Sequence, residues 1–363
     1  MHKNFINEYN PDFVSPPGDT LAELLKERGM TQAELAQRTG KKTKTINQII
    51  KGIAPITPRT SIQLERVLWV PAGFWDERER KYQEFLARNE EKEELKKQLL
   101  WLNNIPVKEM IKLNWIEKYS DKVLQLQEIL SFLGIASPDQ YEAVLSCAYY
   151  RKSQVFKSDP GTLSVWLRKG EIEARNIQTE SYSLSSFRTN LKKIRNLTRE
   201  APDVFIPELR ELCSSSGVAV VFVPELPGTR ICGAVRWLSP EKALIQLSLR
   251  YKRDDHLWFS FFHEAGHIIL HGKKDVFIEE EKTEGIKEDE ANSFASNFLI
   301  PSVMLESFMN TDKKGARDIE IFAEKVGIAP GIVVGQLQHK GYLQMNWCNN
   351  LKRHIDWDEI KNL

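Results

Sequence analysis

The chain has 363 residues, 41% of them hydrophobic and 28% charged, with a formal net charge of +1 at pH 7. That length allows two or three domains with real cores, and the near-even charge excludes a chain that coats nucleic acid or membrane along its whole surface. Four scattered cysteines, Cys147, Cys213, Cys232 and Cys348, form no Cys-x-x-Cys pair, and there is neither a signal-peptide stretch nor a run approaching ~18 apolar residues, so a cytoplasmic protein without membrane contact is expected.

The first ninety residues predict a helical unit. Leu21, Leu24 and Leu25 mark a short helix ending at Gly29. Thr31-Gln-Ala-Glu34 is a capping box that opens a second helix, which stops at Gly40. A third covers Thr43 to Ile50 with Ile46, Ile49 and Ile50 inward, and Thr57-Pro58 opens a fourth through Ile62, Leu64, Val67 and Leu68, closed by Pro71. From Asp76 to about Asn104 opposite charges lie four apart, as in Glu77/Lys81 and Glu93/Lys97, which predicts a solvated helix joining two bodies. Residues 105 to 200 continue in helical periods, broken near Gly134 to Pro138 and Asp159-Pro160-Gly161, and carry no catalytic pattern.

At Gly217 the texture changes. Val218 to Val223, Ile231 to Trp237 and Ala243 to Leu249 are short β-branched, apolar segments between turn signals, which predicts a three-stranded antiparallel sheet. His263-Glu-Ala-Gly-His267 follows within an almost wholly apolar run, Leu257 to Leu270, so a buried helix is expected. An acidic stretch from Glu279 to Glu290 is expected as a loop entering a helix with Ala291, Phe294, Ala295 and Phe298 as its apolar face, ended by Pro301. Helices near Ile319 to Val326 and Ile332 to Leu337 complete the body.

Residues four apart share a helix face, so His263 and His267 can aim two imidazoles at one metal ion with Glu264 beside it as the base. Core histidines satisfied by carbonyls would leave the intervening glutamate unexplained. Hydrolysis of an amide at zinc needs a third protein ligand and an open position for water. Glu288 and Glu290 are the candidates, and both flank the apolar stripe of their helix, so its phase does not choose between them. His271, one turn further on, is better placed as a cation near the helix end or as a partner behind a ligand than as a ligand. The sheet offers an edge to which an extended substrate could add as a strand.

A second pattern lies near the N-terminus. No acidic residue falls between Glu34 and Glu65, whereas Arg38, Lys41, Lys42, Lys44, Lys51 and Arg59 all do. The third helix carries Lys42, Thr43, Lys44, Asn47 and Gln48 away from Ile46 and Ile50; lysines suit phosphates, and Asn and Gln can read base edges in a major groove. Gln32, at the start of the preceding helix, joins this set of DNA-contacting candidates.

Two family resemblances rest on these residues. Residues 15 to 86 resemble the Xre-type helix-turn-helix of HigA-like antitoxin regulators through Pro16-Pro17-Gly18, Thr31 to Ala36, Ile46-Asn47-Gln48-Ile49, Gly52, Ile56-Thr57-Pro58 and Gly73-Phe74-Trp75. Residues 205 to 340 resemble the ImmA/IrrE metallopeptidases through Phe262-His263-Glu264, Gly266-His267, Glu290-Ala291-Asn292, Phe294-Ala295, Leu299-Ile300-Pro301 and Pro330 to Gln338. The second resemblance implies zinc (Zn2+), Glu290 as third ligand, and cleavage of a repressor- or antitoxin-like protein in stress, phage or toxin-antitoxin regulation. The alternative is an antitoxin or repressor whose zinc domain senses or binds a partner, such as a cognate toxin, without hydrolysis. The expected fold is α+β and predominantly helical: an all-α helix-turn-helix domain over 1–90, a helical connector over 91–204, a zincin-like domain with a small antiparallel sheet over 205–345, and a tail over 346–363. Helix-turn-helix modules meet symmetric operators in pairs, so a homodimer on double-stranded operator DNA is expected.

Overall fold

The computed structural model describes residues 13–146, 159–273, 276–280, 285–311 and 314–361. Cys147 and the middle of the acidic stretch, 281–284, lie outside the described residues. The chain divides into two units, Met1–Leu99 and Leu100–Leu363. No helix among the described residues is long and apolar enough to cross a membrane.

Among the described residues the first unit has five α-helices: α1 (Pro17–Glu27), α2 (Gln32–Thr39), α3 (Thr43–Ile50), α4 (Pro58–Leu68) and α5 (Ala72–Lys97). The start and stop signals act as the sequence predicts. Thr31 Oγ1 accepts from Glu34 N–H at 3.1 Å to open α2, half of the expected capping box, while the Glu34 carboxylate accepts from Arg38; Gly40, in the left-handed region at φ 68°, closes the helix. Leu21, Leu25, Leu35, Ile46, Ile49, Leu64, Leu68 and Trp75 form the core. The charge-laced α5 is anchored at its beginning. Arg78 donates to Ser15 and Thr20, Glu79 accepts from Ile56 N–H, and Ser61 donates to Asp76; beyond them α5 carries exposed pairs such as Glu84–Arg88.

The second unit contains α6 (Val107–Lys112), α7 (Lys122–Leu133), α8 (Pro160–Arg175), α9 (Leu184–Asn196), α10 (Pro202–Ser214), β1 (Val218–Phe222), β2 (Ile231–Ser239), β3 (Lys242–Leu247), α11 (Asp254–Leu270), β4 (Phe277–Glu280), α12 (Ile286–Leu299), α13 (Ser302–Met309), α14 (Ala316–Val326), α15 (Pro330–His339) and α16 (Trp357–Lys361). The expected three-stranded antiparallel sheet is instead four-stranded and mixed, in the order β1-β3-β2-β4, with β1 parallel to β3. Two features account for this. The link over residues 223–230 is long enough to step past a neighbouring strand, where a tight hairpin would force β1 beside β2. β1 is also buried at every position, as a strand covered on both faces must be. The fourth strand comes from the acidic stretch expected as a loop, since Phe277 and Ile278 give it an apolar half that pairs with β2.

Strand alternation assigns the two faces. Val218, Val220, Phe222, Val235, Ile245 and Leu247 share one core with Leu257, Trp258, Phe261 and Phe262 of α11. On the other face lies α8, which the sequence reading placed in a connector. Trp166 Nε1 donates to Val223 O at 3.1 Å, Gln246 Nε2 donates to Trp166 O at 2.7 Å, and Arg236 pairs with Glu171 at 2.7 Å. Much of 91–204 is therefore built into the same body as the sheet. The helical periods gave no sign of this, because they report that a helix has an apolar face and not what covers it.

The expected tail is also integral. Lys352 Nζ pairs with Asp255 Oδ2 at 2.7 Å with both side chains enclosed, Arg353 N–H donates to Asp254 Oδ1 at 3.0 Å, and Ile355 enters the core. This segment clamps the start of α11. Burial, with the charge of Asp255, pushes the Asp254 carboxyl up to about 7, against the hydrogen bonds from Asp255 and Arg353 N–H. The folded state then keeps a proton that the unfolded chain loses near pH 4, so stability attached to Asp254 is lost as pH rises from about 4 to 7. Asp254→Asn retains the oxygen that accepts both N–H groups and abolishes the titration; urea midpoints between pH 4 and 8 should decline less steeply than in the wild type, and parallel profiles would refute this.

Candidate metal centre

The centre forms where α12 crosses α11. Gly266 permits the close approach, since a Cβ there would come within 3.3 Å of Ala291 Cα. His263 and His267, one turn apart on α11 and both buried, bring their Nε2 atoms to 3.0 Å. Glu288 of α12 completes the group: its Oε2 lies 3.2 Å from His263 Nε2 and 3.5 Å from His267 Nε2. His263 donates from Nδ1 to Asn292 Oδ1 at 2.9 Å, so its Nε2 turns a lone pair into the cluster. Asn292 is one helical turn beyond Glu288, and a single face of α12 thus supplies a cluster member and the group that orients another.

Glu290, the third ligand the family resemblance implied, is elsewhere. Its Oε2 meets His271 Nε2 at 3.0 Å, and its side chain is 54% exposed against 12% for Glu288. The physical reason is helical phase. The fully buried line of α12 is Ala291, Ala295 and Leu299, while Phe294 and Phe298 are only partly covered. Glu288 continues that line backward at the i, i+3, i+7 spacing, and Glu290 lies near the opposite side of the helix. Taking Phe294 and Phe298 as part of the inward stripe tilted the face and made the two carboxylates look equivalent.

Glu264 is wholly buried, and neither carboxylate oxygen has a hydrogen-bond partner among the described residues. Gly233 of β2 makes room for it, since a Cβ there would be 2.7 Å from Oε1. Burial raises the Glu264 carboxyl well above its ordinary value, and the charges of Glu279 and Glu288 raise it further. Burial lowers His267 to about 4. Burial alone would raise Glu288, but its hydrogen bonds and ion pairing with His263 and His267 bring it down to about 2. Phe277 of β4 stacks on the His267 ring with centroids 4.0 Å apart. Nothing local in the sequence assigns a role to Phe277, Glu279 or Gly233, whereas the four-residue spacing of Glu288 and Asn292 is a signal for Asn292.

A divalent ion fits this arrangement. Nitrogen and oxygen ligands about 2.0–2.2 Å from a tetrahedral ion lie roughly 3.3–3.5 Å apart, close to the three observed separations. Two imidazoles and one carboxylate leave a fourth position open. A cleft of about 830 Å³, lined by Phe259, His263, Glu279, Glu288, Asn292 and Gln336 among others, reaches the cluster and is large enough for a stretch of peptide.

In the first unit, Lys42, Thr43 and Lys44 are exposed at the start of α3, and Asn47 and Gln48 are half-buried behind them. Gln32 joins them physically: Asn47 Nδ2 donates to Gln32 Oε1 at 3.2 Å, so the two amides orient each other.

The placement of the carboxylates yields a direct test. Glu288→Ala should weaken zinc binding, measured by competition with a chelator, beyond the ~10–100-fold typical of losing a group behind a ligand, and Glu290→Ala should cost less. The reverse order would return the ligand role to Glu290.

Comparison with known proteins agrees with both halves. Residues 21–75 match the helix-turn-helix family, and residues 230–335 match the IrrE N-terminal-like domain, a peptidase family. No curated protein matches the chain. Among solved structures, one similar protein, from Nostoc punctiforme, is described as an antidote protein of a plasmid maintenance system; it is 26% identical over 23% of this chain and 91% of its own, with a TM-score of 0.23. Another is an addiction module antidote protein of the HigA family from Coxiella burnetii, 24% identical over 23% of this chain and 92% of its own, with a TM-score of 0.22. The chain thus joins an Xre-type helix-turn-helix region to an IrrE/ImmA-like region of a peptidase family.

Proposed function

We propose that the protein is a DNA-binding regulator with a zinc-dependent endopeptidase domain that cleaves a repressor- or antitoxin-type protein. One observation carries the peptidase reading: the His263–His267–Glu288 cluster stands beside a buried carboxylate, Glu264, that has no structural partner among the described residues. A group that raises no hydrogen bond and holds up no charge pair is costly to bury, and catalysis gives it a purpose. The substrate class follows from the resemblance seen in the sequence.

His263, His267 and Glu288 would hold the ion. Zinc bound there supplies Lewis acidity, bringing the pKa of a water to about 7 and polarising a carbonyl. Glu264 accepts a proton from the attacking water as its oxygen bonds to the peptide carbonyl carbon. The same carboxyl then returns that proton to the amide nitrogen as the C–N bond breaks, and the second proton of the water passes from the new carboxylic acid to the amine, leaving a carboxylate and an ammonium group. Asn292 holds His263 in the orientation this requires, and the cleft receives the chain on either side of the cut bond.

Glu264→Gln should retain zinc and fold but lower cleavage by roughly 10²–10⁴-fold, the range for loss of a general acid–base group. The assay incubates the purified full chain and zinc with the products of adjacent genes and follows fragments by mass spectrometry. Intact regulation in the Gln variant, with no fragments from the wild type, would favour the non-hydrolytic reading.

On the DNA side, Lys42, Thr43 and Lys44 would meet phosphates, and Gln32, Asn47 and Gln48 would meet base edges, with a pair of chains on a two-fold operator. Lys44→Ala should weaken binding on all sequences alike and reduce the slope of log affinity against log salt by about one. A sequence-selective loss with an unchanged slope would overturn that assignment.

A further inference from the structure

The group behind His267 differs in kind from the one behind His263, and it contains the displaced Glu290. His267 Nδ1 lies 2.9 Å from His271 Nδ1, and His271 Nε2 lies 3.0 Å from Glu290 Oε2. The His271 side chain is almost fully enclosed, so water does not compete freely for its ring nitrogens.

With Glu290 ionised and His271 neutral, the protons along this line follow by elimination. An ionised carboxylate only accepts, so His271 donates from Nε2 to Glu290. A neutral His271 then has a bare Nδ1, which can only accept. The nitrogen facing it, His267 Nδ1, must be the donor, and His267 Nε2 is left with its lone pair toward His263 and Glu288. We propose that Glu290 and His271 are positioning residues which, as a carboxylate–imidazole relay, fix the tautomer and ring orientation of His267 for metal binding. This deepens the proposed function, on whose metal site it rests.

Two further contacts agree. Phe277 stacks on His267 and its centroid is 5.2 Å from that of His271, so one ring on β4 holds both imidazoles in line. The partner of His263 is a neutral amide, whereas His267 is backed through a second imidazole by a carboxylate, which leaves His267 the more electron-rich of the two. The relay also accounts for the His-x-x-x-His-x-x-x-His spacing of His263, His267 and His271, which puts three imidazoles on one helix face although only two reach the cluster.

The test measures zinc affinity of the full chain by competition with a chromophoric chelator, together with imidazole ¹⁵N–¹H correlation spectra of the zinc-loaded protein. His271→Ala should weaken zinc about 10–100-fold, as loss of such a partner typically does. His271→Asn, which can present an oxygen to His267 Nδ1–H, should recover most of that loss, and the exposed Glu290→Gln should cost less than His271→Ala without threatening the fold. The wild-type spectra should show the proton of His267 on Nδ1 and that of His271 on Nε2. The relay is overturned if His271→Ala binds zinc within twofold of the wild type, if Asn rescues no better than Ala, or if either tautomer is reversed. Failure of the wild type itself to hold zinc would sink the metal site along with the relay, whereas undiminished binding in His271→Ala would remove the relay alone.

Discussion

Everything about the second unit turns on three acceptor atoms being forced together in a mostly buried place that a cleft reaches from one side. Two imidazole nitrogens and a carboxylate oxygen repel one another unless a positive charge lies among them, and the fold commits considerable structure to keeping them close. α11 is fixed at its start by the 352–355 segment, along its length by the sheet, and across its middle by α12 at Gly266. Without these constraints the helices could slide or rotate by a fraction of a turn and relieve the crowding. The enclosure that makes the cluster costly also makes any ion there electrostatically effective.

The same enclosure explains why Glu264 can be both buried and orphaned. On the strand side, a single missing methyl at Gly233 provides the space. A structural glutamate in such a spot would have acquired an arginine or a backbone N–H. Its isolation separates this residue from Glu171, which is also enclosed but is answered by Arg168 and Arg236.

Much was legible in the sequence where the signal is local. The N-cap at Thr31, the left-handed Gly40, the Thr57-Pro58 start and the two histidines on one face all depend on residues within a turn or two of each other. What escaped depends on partners distant in sequence. The parallel pairing of β1 with β3, the recruitment of Phe277–Glu280 as a strand, and the seating of α8 on the sheet are tertiary facts that no periodicity encodes. The choice between Glu288 and Glu290 falls between these cases. The phase that sets Glu288 against the two histidines was present in the chain, but it is readable only once partly covered phenylalanines are distinguished from fully buried alanines.

The position of α8 has a practical corollary for anyone dissecting the molecule. A fragment cut at residue 205, where motif resemblance begins, would shed the helix whose Trp166 is tied to Val223 and whose backbone carbonyl receives Gln246. The outer face of the sheet, with Ala219, Val221 and Leu244, would then meet solvent as a bare apolar surface, prone to self-association. A failure of such a piece to bind metal would speak of a stripped scaffold, and the natural place to separate the halves is the junction at Leu99/Leu100.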